Sequence, residues 1–210
     1  NTLHLHLSDA EAFRVILKDT THFPDLSKLG RVGGPGYTIK ELKEIVAYAE
    51  RFGIQVVPEI DVPAHIASWA LVYPDLVIKC QKASEVFGRT PRNVFTLDIS
   101  NARTFLLISE MIAQLMAVFS ASSEFFHLGG DELHMDCWDE SEPMLTALRQ
   151  RYNSTGTRAK TAMYMDFESK LMSLVYGKHG KTPIVWSGVQ DSDAIPSPST
   201  SFSRIQPDMS

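Results

Sequence analysis

The sequence predicts an α/β protein, a partial (β/α)8 TIM barrel of which about four βα units are visible. Two observations carry that expectation. Short apolar or alternating segments take turns with longer amphipathic ones, the order of a parallel sheet with right-handed helical crossovers. Polar residues gather at or just past the C-terminal ends of the short segments: Asp9, Asp61 with His65, Asp131 with Glu132, and Trp186 with Ser187. In a barrel the C-terminal rim is where functional side chains collect. An open doubly wound sheet also binds at strand C-termini, but the chain has no glycine-rich first loop of the dinucleotide type.

The elements follow in order. Leu3-His4-Leu5-His6-Leu7 alternates with period two and reads as a strand ending at Ser8-Asp9. A helix is expected from Thr38, placed to cap it, with Glu41 at capping-box spacing; Leu42, Ile45, Val46 and Ala49 share one face, and Gly53 ends it. Its charged residues within 40–50 read as solvated surface. Residues 54–60 form an apolar strand that runs out into Asp61-Val62-Pro63-Ala64-His65, where proline breaks the ladder. The stretch between His65 and Asp98, including 79–93, reads as a long rim loop. Next come an apolar-rich helix at Ala102–Phe119, a short strand at 124–128, a helix at 158–176 and a strand at 183–186. Residues 191–210 are rich in Ser, Pro and Asp, show neither period, and read as an irregular tail after a domain at 1–190. Trp69 and Trp138 read as packing residues.

Composition bounds the function. The chain has 210 residues, 44% hydrophobic and 21% charged, enough for one sizeable core. A net charge of -5 offers no basic surface for nucleic acid or an anionic membrane, so a small or neutral partner is expected. No apolar run reaches the roughly 18 residues of a bilayer span. Opening on Asn1, without methionine or a leader, the chain is expected to be part of a longer product. Cys80 and Cys137 are too few and too far apart for a zinc ribbon; they are either free thiols or one disulfide. Asn153-Ser154-Thr155 matches the N-glycosylation acceptor pattern and, with a possible disulfide, points to an oxidising compartment.

The most informative run is His127-Leu128-Gly129-Gly130-Asp131-Glu132, directly after Phe125-Phe126. In a regular strand adjacent side chains face opposite ways, so Asp131 and Glu132 could not both serve one ligand. A glycine pair lets the chain turn and bring both acids to one mouth. Two acids in different environments can then divide the work: one, in apolar surroundings, donates a proton while the other stays ionised and stabilises charge.

Four segments together resemble the β-N-acetylhexosaminidases of glycoside hydrolase family 20: His4-Leu5-His6-Leu7-Ser8-Asp9, Val57-Pro58-Glu59-Ile60-Asp61-Val62-Pro63-Ala64-His65, the run ending in Asp131-Glu132, and Ile184-Val185-Trp186. The resemblance spans about residues 1–191. It implies removal of a terminal N-acetylhexosamine, GlcNAc or GalNAc, with retention of configuration and without metal or cofactor. This family is a substrate-assisted exception among retaining glycosidases. The sugar's 2-acetamido oxygen attacks the anomeric carbon, Glu132 acts as general acid and then base, and Asp131 orients the acetamide. By the same resemblance Asp9 and His65 form a supporting carboxylate–imidazole pair, and Trp186 walls the pocket. His127 is expected to pack beneath the acids as a satisfied polar group. Phe13-Arg14 resembles an aromatic–arginine pair of bacterial members, although an exposed loop arginine is the default. Cys80 and Cys137 fall where lysosomal animal members carry a disulfide, so a lysosomal or secreted location follows, with oligosaccharides or glycoconjugates ending in N-acetylhexosamine as partners and a homo-oligomer possible for the longer parent. Ala64 replaces a common glycine and Gly188 a common glutamate, and the family's substrate-clamping arginine and later pocket strands fall outside this sequence.

Two rival expectations stand beside this one. A truncated chain could keep the acid pair yet fail to assemble a pocket. A metal-dependent amidohydrolase could use His4 and His6, which are two apart on one strand and so face one way, with His65, His127 and Asp131 as further ligands.

Overall fold

The computed structural model describes residues 1–80 and 95–186. Its centre is a four-stranded sheet of β1 (Thr2–His6), β4 (Gln55–Glu59), β7 (Phe125–His127) and β8 (Thr182–Ile184), in that order and all parallel. The four expected strands are therefore present, and among the described residues helices follow the first three. Two smaller pairs flank the sheet: β2 (Val15–Ile16) parallel to β3 (Tyr37–Thr38), and β5 (Val77–Lys79) antiparallel to β6 (Phe95–Leu97).

Register decides what the sheet presents. His6 pairs with Glu59, Glu59 with His127, and His127 with Ile184, one row across four strands. Residues in one row of a parallel sheet point the same way, so three polar side chains converge on one face. His4, two residues before His6, shares it.

The other face is closed by helices. After the four-residue α1 (Leu26–Leu29), α2 (Ile39–Glu50) begins at the expected cap: the Thr38 hydroxyl accepts from the Glu41 N–H, and the Glu41 carboxylate accepts from the Thr38 N–H. Leu42 and Ala49 are buried, with Ile45 and Val46 packed beside them. Helix α3 (Ala102–Phe119) has the expected bounds, with Asn101 as N-cap. It buries Thr104, Leu107, Ile108, Met111, Ile112, Leu115 and Phe119, a stripe at helical spacing that meets Val56, Phe126 and Leu128 of the sheet layer.

Its length and mean hydropathy of 1.5 would suit a bilayer, which corrects the expectation that no stretch reaches that mark. Its polar face argues for a core helix: Arg103 pairs with Asp75, Glu110 accepts from Thr20 and meets His22, and Gln114 holds the Lys18 backbone.

Two features depart from expectation. Helix α4 (Glu142–Tyr152) was not anticipated, although its signals are present: Ser141 caps it, Pro143 lies in its first turn, and Met144 and Leu148 bury one face. The stretch expected as a rim loop after His65 instead carries 3₁₀ turns at Ala67–Leu71 and Pro74–Leu76 and the strands β5 and β6. Residues 81–94, Ser187, Gly188 and the expected tail lie outside the described residues.

Helix α5 (Thr157–Ser173) continues into a π-helical turn, Leu174–Lys178. With α4 it walls a second cluster of Ile78, Trp138, Met144, Leu148, Met163 and Tyr164. Cys80 and Cys137 lie in that cluster paired as a disulfide, Cα atoms 4.9 Å apart, the bridged one of the two alternatives. Trp69 and Trp138 are fully buried, as packing residues should be.

Candidate active site

Parallel strands deliver their C-terminal ends to one edge, and the expected residues meet there. The Ser8 hydroxyl accepts from the Asp61 N–H at 2.8 Å, which ties the exit of β1 to that of β4. His65 stands between three acids. Its Nδ1 is 3.3 Å from Asp9 Oδ1, and its Nε2 is 3.3 Å from Glu132 Oε2 and 3.8 Å from Asp61 Oδ2. A polar hollow of ≈ 470 Å³, lined by His6 through Ala12 and by Arg14, opens beside this group. Arg14 itself is half-buried and donates to the Gly33 carbonyl.

Backbone strain marks the two central residues. His65 and Glu132 have φ of 52° and 55°, a region that side-chain-bearing residues enter at a cost of about 1–3 kcal/mol. Strain of this kind is retained where the surrounding structure fixes it, and here it aims both side chains at the mouth. The glycine turn is required as well. Gly129 has φ 70°, and a Cβ there would fall 2.0 Å from Asp61 Oδ1.

The acids differ in environment. Glu132 points over the mouth and its side chain is 67% exposed, so the more enclosed position falls to its neighbour. Asp131 is half-buried; burial raises its pKa, the His65 ring opposes this, and the Glu132 charge adds to it. Asp61 is raised to about 7. Burial is the main cause, opposed by the Gly130 N–H and by His65, and reinforced by the charges of Glu59 and Asp131.

Beneath the mouth lies a residue that sequence reasoning left without a role. Glu59 is completely buried, yet four polar groups reach its carboxylate: His4 Nε2 at 2.7 Å and His6 Nδ1 at 2.8 Å on one oxygen, Trp186 Nε1 at 3.0 Å and His127 Nδ1 at 3.1 Å on the other. Burial pushes its pKa up, but hydrogen bonds from His127, His4 and His6 overcome this and hold the carboxyl far below the usual range. In return the bond to Glu59 lifts His6 to about 8. The available signal was a charged residue inside the apolar run Val56-Val57-Pro58-Glu59-Ile60, a placement too costly without built-in partners.

Three groups here place possible metal-ligand atoms within 4.8 Å of one another: His4, Glu59 and His127; His6, Glu59 and Asp61; and Asp61, His65 and Asp131. In the first, the three side chains are already hydrogen-bonded to one another through Glu59. His4 and His6 share one carboxylate oxygen, and His127 Nδ1 lies between Glu59 and the Gly129 N–H, 3.0 Å away. A ring nitrogen serves only one of those two, as donor or as acceptor, and either choice commits Nδ1 of His127.

The remaining expected residues are placed as follows. Trp186 is half-buried, its ring 4.5 Å from that of His127, so its indole fixes one side of the cluster. His127 is buried. Asp9 is exposed and reaches the group through His65 and, at 3.5 Å, His6. Asn153 is far along the chain from this group, exposed, and in the left-handed conformation that ends α4.

Comparison with known proteins identifies the family. The profile of glycosyl hydrolase family 20, catalytic domain, matches residues 1–205. The chain is 34% identical over 200 residues to beta-hexosaminidase subunit A1 of Dictyostelium discoideum, covering 95% of this chain and 35% of that protein. It is 28% identical over 204 residues to the human beta-hexosaminidase subunit beta, covering 95% and 34%. Among solved structures, the Flavobacterium johnsoniae chitobiase superposes with a TM-score of 0.70 at 28% identity, over 92% of this chain and 28% of that one. The chain thus spans about a third of the length of these curated relatives. The amidohydrolase expectation is set aside by the same match, and the chain belongs to glycosyl hydrolase family 20 as part of its catalytic domain.

Proposed function

We propose that the protein is a β-N-acetylhexosaminidase that hydrolyses terminal GlcNAc or GalNAc with retention, and that its four parallel strands are part of an eight-stranded barrel. One observation carries the reading: Glu132 lies 3.3 Å from His65, which lies 3.3 Å from Asp9, with Asp131 half-buried alongside.

In the proposed reaction Glu132 gives its proton to the glycosidic oxygen as the C1–O bond breaks, and the substrate's own acetamide oxygen closes on the anomeric carbon. Asp131 accepts from the acetamide N–H and stabilises the positive charge that spreads over the ring so formed. Water then attacks the same carbon, Glu132 takes its proton, and the acetamide is released, so two inversions amount to retention. His65, held by Asp9, can supply or remove a proton at Glu132. Trp186, anchored by Glu59, offers an apolar face to the sugar. The natural partners are glycoconjugates ending in N-acetylhexosamine. The disulfide and the exposed Asn153 acceptor support a lysosomal or secreted location.

The test is Glu132→Gln in the protein at its full natural length, assayed on an aryl N-acetylglucosaminide with a poor leaving group. Loss of the proton donor should lower kcat by about 10²–10⁴-fold while substrate binding is kept. Turnover equal to the parent would sink the assignment.

A further inference from the structure

The Gly129–Gly130 turn carries both proposed catalytic acids, and the structure holds it from three directions. The Gly129 carbonyl accepts from the Trp186 N–H at 3.0 Å, and the Gly130 N–H donates to Asp61 Oδ1 at 3.0 Å. The third contact comes from outside the strand ends. Tyr164, on α5, donates its hydroxyl to the Gly130 carbonyl at 2.5 Å. Both polar atoms of Gly130 are thus held by side chains from different elements, at a buried residue next to Asp131.

Behind Tyr164 lies a second unusual group. Glu168 is one helical turn further on, which puts it on the same face of α5. It is completely buried, and neither carboxyl oxygen has a hydrogen-bond partner among the described residues. Burial, and then the charge of Asp61, hold its pKa well above the usual carboxylate range, with the contact to Tyr164 opposing them. A neutral carboxyl can donate where a carboxylate only accepts. The Tyr164 oxygen, with its own proton committed to Gly130, is an acceptor for it. Burying a glutamate without a partner is unfavourable unless the site uses it, and no step of the proposed reaction does.

We propose that Tyr164 and Glu168 are a positioning pair: the Tyr164 hydroxyl fixes the turn through the Gly130 carbonyl and so aims Asp131 and Glu132, and the buried Glu168 carboxyl, one helical turn behind it, is assigned as donor to the Tyr164 oxygen. For its catalytic consequence the proposal rests on the hexosaminidase reading; for the turn itself it does not. Neither residue touches substrate. Without the hydroxyl the Gly129–Gly130 peptide keeps its bond to Asp61, but the Gly130–Asp131 peptide, which carries the Gly130 carbonyl, loses its tether to α5 and is free to rotate. Asp131 then loses alignment with the acetamide, and small errors of placement are expensive in catalysis.

The experiment compares Tyr164→Phe, Glu168→Leu and Glu168→Gln in the protein at its full natural length. Hydrogen–deuterium exchange of the peptide covering residues 129–132 is read beside kcat and KM on an aryl N-acetylglucosaminide. Tyr164→Phe should speed exchange there roughly 5- to 10-fold, the equivalent of one lost hydrogen bond. It should lower kcat by at least about 10-fold with KM little changed. Glu168→Leu should follow it, and Glu168→Gln, whose amide still donates to the Tyr164 oxygen, should fall less. A kcat for Tyr164→Phe equal to the parent, or unaltered exchange in that peptide, overturns the proposal, as does a loss in Glu168→Gln as deep as in Glu168→Leu. A parent that hydrolyses no N-acetylhexosaminide while exchange responds as described overturns the hexosaminidase reading instead, so the two failures are told apart.

Discussion

Replacing Glu59 with Gln would remove one charge from a position with no exposed surface while leaving its shape nearly intact. The carboxylate has four polar neighbours between 2.7 and 3.1 Å. Hydrogen bonds to a charged group contribute about 1.5–3 kcal/mol each, but these share two oxygens and do not add. His4 and His6 are also 38% exposed, which screens their part. Breaking a buried charged pair from one side costs about 3–5 kcal/mol, and the lower end is expected near neutral pH.

The same change alters the pH dependence of stability. His6 is held at about 8 against an ordinary 6.5, chiefly by its bond to Glu59. That difference corresponds to about 2 kcal/mol, and exposure of the ring reduces it to about 1. Because the folded pKa lies above the unfolded one, this stabilisation is complete below pH 6.5 and is lost as pH rises through about 8. Glu59 runs the other way: its folded pKa is depressed, so its contribution is present above about 4.5 and fades only on acidification through the lower folded value. Urea unfolding of parent and Glu59→Gln at about pH 6 and about pH 9, with NMR titration of His6, measures both effects. The parent should lose stability between those two conditions by about 1 kcal/mol more than the variant, and His6 should return toward its ordinary value in the variant. A variant within about 0.5 kcal/mol of the parent, or an unmoved His6, would refute the account of Glu59 as the charge that holds this cluster.

Gly129→Ala forces a Cβ to within 2.0 Å of Asp61 Oδ1 at φ 70°. The left-handed backbone alone costs about 1–2 kcal/mol, and displacing Asp61 frees the Gly130 N–H, so a total near 3 kcal/mol is expected; calorimetry giving an unchanged Tm would contradict it. Cys137→Ser opens a loop with a sequence separation of 57. The loss should be about 4 kcal/mol at most by loop entropy, and non-reducing peptide mapping of the native protein should recover the linked pair, whereas two alkylated thiols would argue against the proposed compartment.

Local information in the sequence determined the elements whose signals are short-range. The capping box of Thr38 and Glu41 and the apolar stripe of Ala102–Phe119 need only neighbours in the chain, and both stand where spacing puts them. The strand ends carrying Asp9, Asp61 with His65, and Asp131 with Glu132 were legible because alternation stops there and polar residues begin. Helix α4 was legible too, from Ser141, Pro143, Met144 and Leu148, but the polar stretch before it hid the periodicity. Tertiary structure decided the rest, because contacts across strands depend on register, which no local pattern encodes. The row His6, Glu59 and His127 exists only after β1, β4 and β7 pair as they do, and it turned an acid inside an apolar strand into the anchor of Trp186. Packing of α5 against the glycine turn likewise brought Tyr164 to Gly130 across 34 residues of sequence. Burial, set by the assembled fold and not by residue type, made Asp131 the more enclosed acid and left Glu132 open to the mouth.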